Sequence, residues 1–109
     1  MINLSEKKCL ACSGDLKAFD RQESEEYLKQ LTNWQISADA KWLVKEFKFK
    51  NFAQALEFVN QIGVIAEEEG HHPNVNFTWS YCKISIQTHK INGLCENDFI
   101  LAAKIDVIS

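Results

Sequence analysis

Apolar residues recur at two different periods along the chain, and the period changes mark the elements. From Tyr27 to Leu31 the apolar positions Tyr27, Leu28 and Leu31 fall on one side of a helix. Asp20 stands ahead of them with Glu23 three residues later, the arrangement of a capping box. A short first helix is therefore expected from about residue 20 to Leu31. Trp34–Ile36 is a short strand, SADAK a polar turn, and WLVKEFKFK a second strand whose Leu43, Phe47 and Phe49 share a face at period two.

Asn51 then opens a long helical pattern from Phe52 to about Glu69, with Gly70 as its stop. Phe52, Ala55, Leu56, Val59, Ile62 and Ala66 make one stripe, and Phe58 and Ile65 widen it. A helix apolar over so much of its girth is expected to be covered on two sides, the second by another subunit, the alternative being a helix sunk more deeply in its own core. Period two returns at Val75, Phe77 and Trp79. After a turn at Ser80 and Tyr81, it continues through Cys82, Ile84 and Ile86. A last helix runs from about Glu96 to Val107, with Phe99, Ile100, Ala103 and Val107 expected to face inward. The order α-β-β-α-β-β-α with strands in hairpins predicts an α+β fold. It is a two-layer sandwich, with a four-stranded antiparallel sheet and helices on one face. Open sheet edges give a second reason to expect self-association.

Residues 1–19 read as an arm and residues 20–109 as one domain, since 109 residues suit a single core. The net charge of −3 argues against general affinity for phosphate backbones, so no nucleic-acid partner is expected. No long apolar run suggests a signal peptide or a membrane span. With unpaired-looking cysteines, that points to a reducing, cytoplasmic setting. Cys9 and Cys12 form a lone C-x-x-C without a second pair to complete a zinc site. The expectation is a reduced, exposed pair on a loosely held arm. Cys82, inside a strand pattern, reads as a small buried hydrophobe.

The chemistry is concentrated in imidazole. Of three histidines, His71 and His72 are adjacent in EEEGHHPNV and followed by the single proline, Pro73, which stiffens the loop. His89 lies in QTHKI, at the end of the strand paired with the one that follows Pro73. Closing that hairpin brings the start of one strand beside the end of the other, and so His89 beside His71 and His72. Such a cluster has three readings: a metal site, loop histidines without a role, or general acid–base chemistry near neutral pH. Adjacent histidines tend to point apart, which weighs against the metal.

Together, E-x-x-x-H-H-P at Glu67–Pro73, the aromatic Trp79, Thr88–His89 and GLCENDFILAAKID at Gly93–Asp106 resemble the pterin-4a-carbinolamine dehydratase family. The similarity runs from about Asp20 to Asp106 and extends to the cysteine-bearing arm, Trp34 and the long helix. It implies removal of water from a 4a-hydroxytetrahydropterin to give quinonoid dihydropterin, in tetrahydropterin recycling. No metal or organic cofactor is implied. His71, His72 and His89 would line the pterin pocket, with His72 the main acid–base group. Asp98, in the same motif, would orient His89 or its neighbour; its plainer reading is a helix-start carboxylate. Gly70, Pro73, Gln87, Thr88 and Lys90 complete the expected substrate contacts. The sequence departs from the family pattern at Gly70 (often acidic), Val75 (often Trp) and Cys95 (often Ser or Thr). Partners implied are the small-molecule pterin and further copies of the chain, as a homodimer or homotetramer. The rival function is a non-catalytic dimerisation or coactivator-type binding module, since some relatives partner a homeodomain transcription factor in animals.

Overall fold

A computed structural model describes residues 3–9 and 17–109. The elements are α1 (Arg21–Leu28), β1 (Gln35–Ile36), β2 (Leu43–Lys48), α2 (Phe52–Glu69), β3 (Asn74–Thr78), β4 (Tyr81–Ile86) and α3 (Glu96–Ile108), with single 3-10 turns at Leu4–Glu6 and His89–Ile91. The four strands form one antiparallel sheet in the order β1-β2-β4-β3. This is the expected α+β order. Among the described residues, no helix is long and apolar enough to cross a membrane.

Local chemistry sets the helix ends. At α1 the Glu23 N–H donates to Asp20 Oδ1 at 2.8 Å, and the Asp20 N–H donates to Glu23 Oε1 at 3.1 Å. At α2 the Gln54 N–H donates to Asn51 Oδ1 at 2.9 Å. Gly70 ends α2 at φ 62°, a left-handed conformation that an acidic residue would adopt only with strain. α1 stops at Leu28, one turn before the expected end. The Gln30 and Leu31 N–H groups make three-residue closures to Tyr27 and Leu28 instead of continuing the helix.

Register explains which face is buried. Leu43 lies opposite Ile86, Phe47 opposite Cys82, and Phe77 also opposite Cys82. Leu43, Cys82, Ile84 and Ile86 are wholly buried under Ala55, Phe58, Ile62 and Ala66 of α2 and under α3. Phe58 packs at a tilt against Phe47 and Phe49, with ring centroids 4.7 and 5.2 Å away. The other sheet face carries Glu46, Lys48, Lys83, Asn74, Asn76 and Thr78, the polar half of each alternation. Lys45 points to the core side, where its ammonium meets Asp106 of α3 at 2.8 Å.

Along α2, Phe58 and Ile62 are buried while Phe52 and Leu56 are exposed at 50% and 40%, so one apolar side lies in the core and another is left open. Two expectations change. Val107 is exposed, and Leu101, Ala102 and Ile105 take the inward positions of α3. α3 is covered by α2, by α1 and by the N-terminal segment at once, so its apolar period does not mark one face. The N-terminal segment is not a loose arm across residues 3–9: Leu4 is buried and packs in the core, and Cys9 is half-buried. Cys12 lies outside the described residues.

Candidate active site

The β3–β4 hairpin puts Asn74 opposite Ser85. One step beyond that pair, the chain leaving α2 and the chain leaving β4 run side by side, and both carry imidazoles. His71, His72 and His89 line one cavity of about 610 Å³, together with Gly70, Pro73, Gln87, Thr88 and Lys90. That volume is in the range of small-molecule sites, roughly 300–1,000 Å³. The cavity wall also includes Cys9, Glu69, Asn74 and Asn97, which the sequence did not assign to the site.

Two of the imidazoles are held by carboxylates. His71 Nε2 lies 2.7 Å from Asp98 Oδ1, and His72 Nε2 lies 2.5 Å from Glu67 Oε2. The environments differ: the His71 side chain is 12% exposed against a fully buried Asp98, whereas His72 is 60% exposed and Glu67 79%. Asp98 orients His71, not His89. An ionised carboxylate accepts hydrogen bonds and does not donate, so opposite one each Nε2 acts as the donor of its pair. His89 stands edge-on to Trp42, ring centroids 6.0 Å apart.

Asp98 is the hub of the polar network. Its Oδ2 accepts from the Thr88 hydroxyl at 2.8 Å and from the Cys95 N–H at 2.8 Å. The carboxylate thus caps the first turn of α3 and braces a histidine at once, and its three donors offset the cost of burying a charge. Thr88 is engaged throughout: its N–H donates to the Gly93 carbonyl at 2.9 Å, and its own carbonyl accepts from Ile91 and Gly93. Thr88 thus lines the cavity while its hydroxyl braces Asp98 and its backbone closes the turn. Gly93 lets the segment before α1 lie close against that turn, because a Cβ there would stand 2.8 Å from the Ala18 Cβ.

Glu67 was within reach of sequence reading as the first letter of E-x-x-x-H-H-P. Glu69 and Asn97 carried no comparable signal, since one is a helix-end carboxylate among three and the other a first-turn polar residue. Among the described residues, no three His, Cys, Asp or Glu side chains are grouped to share a metal ion.

A small α+β sandwich whose sheet end gathers three histidines around a ligand-sized cavity is the protein class defined so far. Comparison with known proteins narrows it. Residues 17–108 match the family model described as pterin 4 alpha carbinolamine dehydratase. A Rickettsia canadensis protein provisionally named pterin-4-alpha-carbinolamine dehydratase is 51% identical over 107 residues, covering 97% of each chain. A Halorhodospira halophila protein with the same provisional name is 46% identical, covering 98% of each. Among solved structures, a transcriptional coactivator/pterin dehydratase from Brucella melitensis superposes with TM-score 0.80 at 30% identity, over 84% of this chain and 98% of that one. A pterin dehydratase-like protein identified as a RuBisCO assembly factor in the alpha-carboxysome gives TM-score 0.62 at 28% identity, over 71% and 89%. The chain belongs to the pterin-4a-carbinolamine dehydratase family.

Proposed function

We propose that the protein dehydrates a 4a-hydroxytetrahydropterin to quinonoid dihydropterin. The observation that carries this reading is the Asp98-held His71 sharing one cavity with His72 and His89. In the reaction the C4a–O bond breaks and the hydroxyl takes a proton to leave as water. N5 gives up its proton as the C4a=N5 bond forms. Both transfers suit imidazoles that exchange protons near neutral pH. His72 is the main acid–base group: Glu67 fixes its Nε2 proton and leaves Nδ1 for the substrate. His71, held by Asp98, and His89 bind the ring and assist transfer. Gly70, Pro73, Gln87 and Lys90 supply further contacts to the donor–acceptor edge of a pterin. Neither a metal nor an organic cofactor is required by these steps.

A second reading has specific support. The Brucella melitensis neighbour is described as a transcriptional coactivator as well as a pterin dehydratase, and the carboxysomal one as a RuBisCO assembly factor, and this chain exposes Phe52, Leu56 and Val75 on adjoining elements. A binding module would use that face and not the histidines. Stopped-flow decay of a 4a-carbinolamine separates the two. The dehydratase reading requires acceleration by the wild type, its loss in His72→Ala and its survival under chelation. No acceleration by the wild type leaves the binding module. Loss on chelation with recovery on added zinc overturns the metal-free mechanism.

A further inference from the structure

One wall of the cavity has no part in the proton chemistry. The segment Asn3–Cys9 lies against α3 and the end of α2. Leu4 is sunk in the core. Lys7 Nζ meets Glu96 Oε2 at 3.2 Å, and the same oxygen accepts the Tyr27 hydroxyl at 3.0 Å. At the cavity itself the Cys9 N–H donates to Glu69 Oε1 at 2.8 Å, and the Cys9 thiol donates to the Asn97 carbonyl at 3.5 Å. The other Glu69 oxygen stands 3.6 Å from Lys104 Nζ, with the Glu69 side chain only 7% exposed. A carboxylate so buried is stable only when matched. Here one backbone N–H and one ammonium match it, and both lie outside the histidine cluster. Glu69 is also two residues from His71, so the clamp on the N-terminal segment and the imidazole cluster share one stretch of backbone.

We infer that Cys9, which ends the docked segment Asn3–Cys9, is a closing wall of the ligand pocket and that Glu69 is the positioning residue that pins it there. The wall meets the ligand by shape, through the Cys9 side chain, while its own position is fixed by a backbone N–H. It therefore governs binding of the ring and leaves proton transfer to the histidines. The identity of that ring rests on the pterin reading above.

The test compares Cys9→Phe, Lys8→Phe and Glu69→Ala with wild type. Lys8 is an exposed neighbour in the same segment and does not line the cavity. Binding of unsubstituted pterin is read by tryptophan fluorescence, and KM and kcat by carbinolamine decay. Cys9→Phe fills the cavity and is expected to weaken pterin binding and raise KM by about tenfold or more, a change of about 1.4 kcal/mol, with kcat at saturation largely kept. Lys8→Phe leaves both unchanged. Glu69→Ala raises KM, and Glu69→Gln, whose amide oxygen still accepts the Cys9 N–H, restores part of it. The glutamate pair decides the matter even where Cys9→Phe does not fold. Wild-type binding by Cys9→Phe, equal losses in Cys9→Phe and Lys8→Phe, or no KM change in Glu69→Ala would overturn the proposal. Absence of pterin binding and turnover in wild type would defeat the pterin reading instead. The wall is then judged from the imidazole proton signals of His71, which the added ring must shift in Cys9→Phe and not in Lys8→Phe.

Discussion

Asp98 and His71 meet at 2.7 Å although they belong to different helices' ends, and the carboxylate is wholly buried. The contact joins the first turn of α3 to the chain leaving α2, with Thr88 and the Cys95 N–H completing the carboxylate's shell. An amide in place of the carboxylate cannot accept from all three donors, since one of its two heads only donates. Asp98→Asn should therefore lower kcat/KM by about a hundredfold and destabilise the fold by roughly 1–3 kcal/mol. Parallel measurement of turnover and urea unfolding checks both; unchanged stability would mean that the network is not held as described.

The two imidazole–carboxylate pairs should respond differently to truncation. His72 is mostly exposed, so His72→Ala should lose about 10²–10⁴ in turnover while stability stays within about 0.5 kcal/mol. His71→Ala should lose turnover and stability together, because Asp98 is left buried without one of its donors, at about 1–3 kcal/mol. The double variant should be little worse in turnover than the more damaging single one, as expected for groups acting as a unit. Thermal melting and single-turnover kinetics on the three variants distinguish these patterns.

Much of this arrangement was legible in the sequence, and the reasons are local. Strand alternation at Cys82, Ile84 and Ile86, the caps at Asp20 and Asn51 and the stop at Gly70 each act over a few residues, so the letters suffice. That His89 lines the same cavity as His71 and His72 is what hairpin closure alone leads one to expect. What stayed hidden depends on packing from outside an element. The burial of α3 on several sides blurred its period and misassigned Val107. Docking of Leu4 and Cys9 rests on contacts dozens of residues away, to which no spacing rule applies. The choice of His71 over His89 as the partner of Asp98 is set by how α3 approaches the end of α2, a tertiary angle.

A second polar cluster ties the β1–β2 hairpin to α3. Trp34 Nε1 donates to both oxygens of Asp106 at 3.0 Å, and Lys45 Nζ donates to Asp106 at 2.8 Å and to the Thr32 carbonyl at 2.9 Å. Lys45 and Asp106 side chains are 13% and 23% exposed, so the pair is shielded more than a surface ion pair. Asp106→Ala leaves an indole N–H and an ammonium short of a partner and should cost about 2–3 kcal/mol in urea unfolding. Because the cluster lies away from the histidine cavity, kcat/KM of the folded fraction should stay near wild type.

Self-association is expected along β3, an edge strand of the sheet, whose Phe77 packs on Phe52 with ring centroids 5.5 Å apart. An unpaired edge offers backbone donors and acceptors to a second copy of itself, and an isologous pairing would cover the exposed Phe52, Leu56 and Val75. Leu56→Glu should shift the mass measured by light scattering toward the monomer without unfolding the chain. A wild-type monomer at high concentration would remove this expectation.

The thiols make stability sensitive to alkali. Burial pushes the Cys82 thiol up to about 11, and burial together with Glu69 pushes the Cys9 thiol up to about 12, from an ordinary value of 9.0. The folded protein therefore keeps these protons to higher pH than the unfolded chain does. Above pH 9 the unfolded state binds fewer protons, so stability is whole below that point and falls as pH rises toward 11–12. The slope approaches about 1.4 kcal/mol per pH unit for each thiol. Urea unfolding from pH 7.5 to 10.5 should show the decline, and Cys82→Ala should reduce its slope even though the cavity it leaves lowers stability at every pH. A decline of equal slope in Cys82→Ala would assign the alkaline loss to other groups.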